Sequence, residues 1–340
     1  MEIISNKDLS QLNSFKIKVV AENFIELNNE ADFIDLQANW RNIIKPIYIL
    51  GGGNNTLFIS NFQGTVIKIS NKGISSIDNN ADVLVSVKAG EDWNNLINFS
   101  LSKSLFGLEN LIDIPGQVGS TPIQNIGAYG VEVQEYIEEV IALDIENGSF
   151  KTFSNSDCKF SYRSSIFKTD LRDKFIIYEV VFKLKKHGKL KLDYGSITEK
   201  LKSKGIAKPN QLELSQCISE IRASKLPDPK IIGNAGSFFK NPLVNEEKYF
   251  HLKNIFPQMM SYKLNENCYK IAAGWLIENA GWKGKEMGSA AVHKDQALVI
   301  INKNGEASGE DIMHIANEII ISIKDIYDIF LEPEVNIIGN

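Results

Sequence analysis

Residues 107–133, GLENLIDIPGQVGSTPIQNIGAYGVEV, set the strongest limit on what this chain can become. Glycine and proline recur too often for a helix or a ladder strand to run through them. Yet Leu, Ile and Val are scattered along the stretch, and a flexible linker would be polar. It must therefore be an ordered, irregular loop that packs its apolar side chains on a scaffold. Ser120, Thr121, Gln124 and Asn125 place neutral hydrogen-bonding groups beside small residues. That combination suits a large planar ligand held close to the backbone. A loop that merely covers a core explains the same residues, and the two readings stand even.

At 340 residues the chain exceeds one simple core, so two or three domains are expected. Its net charge of −5 offers no basic field for nucleic acid, although a local basic pocket remains open. Cys158, Cys217 and Cys268 lie far apart with no CxxC, and His187, His251, His293 and His314 show neither HxH nor HxxxH spacing. A disulfide scaffold and a metal site are therefore not expected. The N-terminal MEIISNKDLSQLNSFKIK has an early acid and no long apolar run, unlike a secretory signal. No stretch approaches the ~20 apolar residues of a membrane helix, so a cytoplasmic chain is expected.

Periodicity supplies the scaffold. Phe33, Leu36 and Trp40 have helical spacing, strands are expected at Pro46–Leu50 and Thr65–Ile69, and Val83, Val85 and Val87 alternate as a strand. Trp93, Ile97 and Leu101 run at helical spacing after Ala89-Gly90. Residues 137–184 read as mostly strands with a short interruption, 211–224 as a helix broken by the prolines of KLPDP, and 271–284 as a buried helix closed by Gly281. A strand follows at Ala297–Asn302, with Gln296 entering it. Ser308 and Asp311 have capping-box spacing at the start of a last helix carrying Ile312, Ile315, Ala316, Ile319 and Ile323 on one face.

Several stretches have the residue types of a site. Residues 51–58, GGGNNTLF, lack the GK[ST] of a phosphate-binding loop, and Thr56 stands where a dinucleotide fingerprint needs its third glycine. What remains is either a tight turn or an anion nest in which Gly51, Gly52 and Gly53 let amides converge beside Asn54 and Asn55. Arg163, beside Tyr162 in CKFSYRSSIFK, has the forked donor of a carboxylate partner, internal or substrate-borne. Tyr194 sits beside Gly195 on what reads as a hinged loop, and Arg222, Lys225 and Lys230 cluster where a phosphate or plain solvent would meet them. Gly233–Pro242, GNAGSFFKNP, reads as a tight loop that aims the Ser237 hydroxyl. Glu332 and Glu334 flank Pro333 and share a face if the segment is extended.

Taken in order, YILGGGNNTLF, IPGQVGSTPIQNIGAYGVEV, YRSSIFK, KLPDP, GNAGSFFKNP and LEPEV resemble the UDP-N-acetylenolpyruvoylglucosamine reductase family from about residue 12 to 340. The resemblance implies an α+β fold. A two-part FAD-binding region of the vanillyl-alcohol-oxidase type would occupy 1–71 and 72–215 with 329–340, and a smaller α+β substrate-binding domain 216–328. It implies non-covalent FAD, NADPH as co-substrate, a UDP-sugar substrate and a monomer. Ser237 matches the proton donor, and Arg163 and Glu334 match the residues flanking the enolpyruvyl group. Gly51, Gly52, Gly53, Asn54 and Asn55 match the pyrophosphate cradle. Pro115, Gly116, Ser120, Thr121, Gln124, Asn125, Gly127 and Ala128 match the second flavin segment, with Arg222 also at the flavin site. Tyr162, Tyr194, Lys225, Asn241 and Gln296 match substrate positions, Tyr194 being the tyrosine that covers the diphosphate in first-type members. Arg222 and Lys225 suit that diphosphate, and Lys240 is a candidate helper for Ser237.

Two rivals differ in class. An alcohol or sugar oxidase on the same scaffold often tethers its flavin through His or Cys, and neither residue occurs in Gly51–Asn55 or Pro115–Gly130. A non-catalytic flavin or nucleotide-sugar binder needs no proton donor, so Arg163, Ser237 and Glu334 together disfavour it.

Overall fold

A computed structural model describes residues 1–339 of the chain. The structure is α+β and divides into two compact units: residues 1–6, 22–52 and 63–224 form one, and residues 7–21, 53–62 and 225 onward the other.

Two sheets build the first unit. One has the order Ile4–Asp8, Val20–Leu27, Phe62–Ile69, Ile47–Leu50, and its last two strands run parallel with Leu50 opposite Lys68. The other has the order Phe150–Ser154, Ile137–Asp144, Phe175–Lys185, Asp82–Lys88, Ile74–Asn79 and is antiparallel throughout. Helix α1 (Glu30–Asn39) starts where Asn29 and Asp32 form a capping box, and buries Phe33 and Leu36. Helix α2 (Trp93–Ser102) starts where Asp92 accepts from the Asn94 amide, and buries Trp93, Leu96 and Ile97.

One core unites these elements with α3 (Gly195–Ser203) and α4 (Gln211–Lys225). The Gly/Pro-dense stretch enters it through Leu108, Leu111, Val118, Ile126, Val131 and Val133. Each fully buried aliphatic side chain contributes about 1.5–3 kcal/mol, which is what orders a segment without a regular ladder. Trp93 Nε1 adds a bond to Leu111 O (2.8 Å).

In the second unit, the strands Gly233–Ser237, Val299–Asn302, Ala290–Val292 and Glu286–Met287 form a sheet in that order. Helix α7 (Gly309–Tyr327) packs on it with Ile312, Ile315, Ala316, Ile319 and Ile323 buried, and Ser308 with Asp311 forms the expected capping box. A smaller sheet (Leu243–Asn245, Cys268–Ile271, Ser261–Asn265) lies with α5 (Glu246–Ile255), and α6 (Ala273–Asn279) follows it, ending before Gly281 at φ +79°. Near the C-terminus, Asn336–Ile338 pairs in parallel with Thr56–Phe58.

Four sequence expectations change. Gly233–Ser237 is an edge strand and not a tight loop: Gly233 faces Asn302 and Ser237 faces Val299, with a register break between Asn234 and Ser237 and Gly236 at φ +69°. Backbone bonds to a neighbouring strand, which local sequence does not report, override the turn preference of its glycines. Tyr194 is the N-cap residue of α3 and not part of a free loop, because burial of Ile197 and Leu201 draws the following residues into a helix. The interruption in 137–184 is long, with no strand from 155 to 174. The strand after Gln296 begins at Val299, whose amide donates back to Gln296 O (3.0 Å), so Gln296 lies in the preceding turn.

Candidate active site

In the second unit the chain around Ser237 runs antiparallel to the segment around Glu334. Phe239 bridges Pro333, Lys240 N donates to Glu332 O (2.9 Å), and Glu334 N donates to Phe238 O (2.8 Å). The two expected catalytic residues therefore stand on neighbouring extended segments although 97 positions separate 237 from 334. Phe238 is fully buried, edge-on to Phe15 with ring centroids 6.3 Å apart, which anchors the residue next to Ser237. Lys240 makes an ion pair with the more exposed Glu332. Glu332 and Glu334 thus do different work: one holds Lys240, while the other is fixed through its backbone.

The glycine loop explains how Glu334 is held. Asn55 Nδ2 donates to Glu334 O (3.1 Å), and Asn336 N donates to Asn55 O (3.0 Å). Gly53 sits at φ +68°, and a Cβ there would lie 1.9 Å from Leu12 O, so the loop closes only with glycine. Ser14 N donates to Gly53 O (3.0 Å) and Ser14 Oγ to Asn54 O (3.3 Å). Asn241 and Gln296 meet the start of α6: Ala273 N donates to Asn241 Oδ1 (2.9 Å), and Gln296 Oε1 is 3.7 Å from the position of a Cβ on Gly274. Lys225 is exposed at the end of α4.

In the first unit Arg163 is half-buried at φ +54°, a conformation that a non-glycine residue adopts at a cost. Its Nη2 donates to Gly127 O (2.8 Å) and its Nη1 to Asn125 O (3.5 Å), and its guanidinium lies 5.5 Å from the centroid of the Tyr162 ring. Asn125 is fully buried: Nδ2 donates to Glu132 Oε2 (2.9 Å) and Ser161 O (3.0 Å), and Oδ1 accepts from Gln134 N (3.2 Å). Its amide ties the 115–130 loop to the chain carrying Arg163. The hydroxyls of Ser120 and Thr121 are spent within the turn, on Gln117 O (2.7 Å) and Val118 O (2.8 Å).

Arg222 lies in the last turns of α4, with Nε donating to Asp113 O (3.1 Å). Burial depresses its pKa, while Tyr129 and Asp113 oppose the shift. Tyr194 is 43% exposed, and its ring stands edge-on to Tyr129 with centroids 5.3 Å apart.

Two glycine loops meet here in a way that fits FAD. A Cβ on Gly51 would lie 3.5 Å from Gln117 Oε1 and 3.9 Å from Ser120 Cβ, and one on Gly116 3.5 Å from Ser120 Oγ. A side chain at either glycine would fill this hollow. Gln117 Nε2 donates to Gly90 O (3.0 Å), but Gln117 Oε1 is buried with no hydrogen-bond partner among the described residues. Such an acceptor costs about 1–3 kcal/mol unless a bound hydroxyl or N–H satisfies it, and FAD carries both. Grooves of about 730 and 1090 Å³ elsewhere in the first unit are lined by none of the expected site residues.

Sequence reading passed over Ser14, Asn110, Gln117 and Tyr129. Gln117 and Tyr129 lie inside a stretch already marked as a site, and Tyr129-Gly130 is a turn dipeptide. Nothing local distinguishes Ser14 or Asn110, whose partners lie far along the chain.

A family model described as UDP-N-acetylenolpyruvoylglucosamine reductase, C-terminal domain, matches residues 228–338, and one described as FAD binding domain matches residues 22–154. The UDP-N-acetylenolpyruvoylglucosamine reductase of Flavobacterium johnsoniae is 41% identical over 340 residues, covering 99% of this chain and 100% of the relative. Those of Aliivibrio fischeri (43% identical; 98% and 94% covered) and Bdellovibrio bacteriovorus (42% identical; 98% and 99% covered) are similar end to end. The solved UDP-N-acetylenolpyruvylglucosamine reductase of Thermus caldophilus superposes with a TM-score of 0.68 over 99% of this chain and 98% of its own, at 20% identity, a likeness of fold.

Proposed function

Because this chain belongs to the UDP-N-acetylenolpyruvoylglucosamine reductase family, we propose how its own residues carry out that family's reaction. The reaction is the NADPH-dependent reduction of UDP-N-acetylglucosamine enolpyruvate to UDP-N-acetylmuramate, a step in peptidoglycan precursor synthesis. FAD, when bound, would supply the hydride chemistry that reduces C3 of the enolpyruvyl ether at the expense of NADPH.

The protein has three tasks. It must hold the cofactor, hold the substrate carboxylate as negative charge spreads into it, and deliver a proton to C2. Gly51–Asn55 and Pro115–Ala128 cradle FAD, with Gln117 Oε1 as an acceptor for it. Arg163 offers its fork to the carboxylate, held in place by the Asn125 and Gly127 carbonyls, and Glu334 hydrogen-bonds to the enolpyruvyl group. Ser237 gives its proton to C2: a hydroxyl is a weak acid in water, but a carbanion is a strong base. Lys240, drawn toward Glu332, keeps a positive charge near Ser237 and favours the alkoxide that remains. Arg222 and Lys225 hold the diphosphate, Tyr194 covers it, and Tyr162, Asn241 and Gln296 line the sugar nucleotide. The flavin region is residues 1–71 and 72–215 with 329–340, and the substrate domain is 216–328. Asn336–Ile338 pairs with Thr56–Phe58, a segment inside the 1–71 stretch of that division. We take the enzyme to be a cytoplasmic monomer that binds no nucleic acid; among the described residues no helix is long and apolar enough to cross a membrane.

The observation that supports these roles is the short ladder in which Glu334 N donates to Phe238 O, so that the backbone of Glu334 lies against the residue that follows Ser237. Half-reactions under anaerobic conditions test it. NADPH should bleach the flavin band in both the wild type and Ser237→Ala. Enolpyruvyl substrate should restore the band quickly in the wild type and very slowly in the variant. Normal restoration in Ser237→Ala would remove Ser237 from the mechanism; no bleaching in either protein would remove NADPH.

A further inference from the structure

Tyr129 occupies a backbone position that its own side chain disfavours. With Gly130 it forms the two-residue turn of the hairpin Gly127–Ala128/Val131–Glu132, at φ +50° and +79°. Such turns favour Asn or Gly at the first central position, and a bulky residue there is an outlier. Strain of this kind persists when the side chain is used elsewhere.

The surroundings show where. The Tyr129 ring meets the Tyr194 ring edge-on at 5.3 Å and 78°. Its hydroxyl faces the Arg222 guanidinium, whose charge opposes the rise that burial gives the Tyr129 pKa. Its carbonyl accepts from Nδ2 of the buried Asn110 (3.1 Å), and the same nitrogen donates to Lys191 O (3.0 Å), three residues before Tyr194. Thr198 Oγ1 closes the segment by donating to Leu192 O (3.0 Å). At the base of the hairpin, Gly127 O accepts from Arg163 Nη2 (2.8 Å). One short ribbon thus touches Arg163, Arg222 and Tyr194.

We propose that Tyr129 is a positioning residue: its ring is the seat on which Tyr194 rests, and its hydroxyl fixes Arg222, so the diphosphate cover and a diphosphate cation are set from one turn. This deepens the reading above and rests on the roles it gives Tyr194 and Arg222. The two halves of the side chain separate by substitution. Tyr129→Phe keeps the ring and loses the hydroxyl that faces Arg222. Tyr129→Asn loses both while suiting the turn better, so the hairpin is retained.

Two measurements on the oxidised holoenzyme decide it. Amide hydrogen exchange over residues 190–204, without substrate, should rise at least about fivefold in Tyr129→Asn and stay at the wild-type level in Tyr129→Phe, where the ring still provides the seat. Calorimetric binding of UDP should weaken about tenfold in Tyr129→Phe, the effect of one lost polar contact with a charged group. Unchanged exchange in Tyr129→Asn, or a rise spread over the whole first unit, overturns the seat. Unchanged UDP affinity in Tyr129→Phe overturns the link to Arg222. If UDP fails to bind the wild type, the reading of the diphosphate site fails, while the exchange result still decides the seat.

Discussion

Lys68 should be a net cost to this fold at neutral pH, and replacing it with methionine should make the protein more stable. The lysine lies in Phe62–Ile69, opposite Leu50, and is only 9% exposed. Its ammonium donates to Ile69 O (2.9 Å) and makes no ion pair among the described residues. Burial lowers its pKa from 10.5 to about 8, against the pull of Glu26 and with the push of Lys72. Such a drop corresponds to roughly 3 kcal/mol of lost stability while the group stays charged. Methionine fills similar space, relieves that cost and forfeits one hydrogen bond worth about 1 kcal/mol, so Lys68→Met should gain about 2 kcal/mol at pH 7.

The sign reverses with pH. The folded-state pKa is depressed, so the contribution of Lys68 to stability is present above 10.5 and lost as pH falls through about 8. The advantage of methionine should therefore shrink from pH 8 upward and vanish near pH 10, where the residual penalty equals about 1 kcal/mol for the lost bond. Urea unfolding of both proteins at saturating FAD, at several pH values from 7 to 10, reads the difference directly, since the other titrating groups are common to both. A methionine variant less stable at pH 7, or a difference that does not change with pH, would refute the reasoning.

Other consequences follow from the same geometry. Gly53→Ala should cost about 2–5 kcal/mol, from left-handed strain plus overpacking against Leu12 O, and should lower FAD retention; Gly130→Ala, at positive φ but with nothing near its Cβ, should cost only about 1 kcal/mol by the same unfolding assay. Asn125→Ala frees the chain that carries Arg163, so it should lower the limiting rate of flavin reoxidation by substrate while the protein still binds FAD; an unchanged rate would show that Arg163 needs no such tie. Lys240→Met should leave stability within about 1 kcal/mol, as for an ion pair whose carboxylate is largely exposed, yet slow substrate-driven reoxidation; equal rates would remove Lys240 as the helper of Ser237.

Much of the fold was legible in the residues. Ser308 with Asp311 starts a helix because a side-chain oxygen three positions from an amide caps it, whatever the rest of the chain does. Val83–Val87 and the isoleucines of the last helix declare their faces by spacing. The apolar residues of 107–133 showed that the stretch had to pack, and they do lie in the core. The family, and with it FAD and the reaction, was legible from six motifs in order.

Tertiary structure decided which groups meet. The sequence marked Ser237, Lys240, Glu332 and Glu334 but could not show that Glu334 is bonded beside Ser237 while Glu332 takes Lys240, since the ladder joins segments more than ninety residues apart. It marked Asn55 and Asn125 as ligand contacts but could not show that their amides also donate to Glu334 O and Ser161 O, bonds that exist only once the chain has folded back. It assigned Gly233–Ser237 to a turn because glycine is permissive locally, and the neighbouring strand Val299–Asn302 made it extended. The reason is common to all three: capping and periodicity act over a few residues and are written in them, while a hydrogen bond between distant segments depends on loop closure and register, which no single segment encodes.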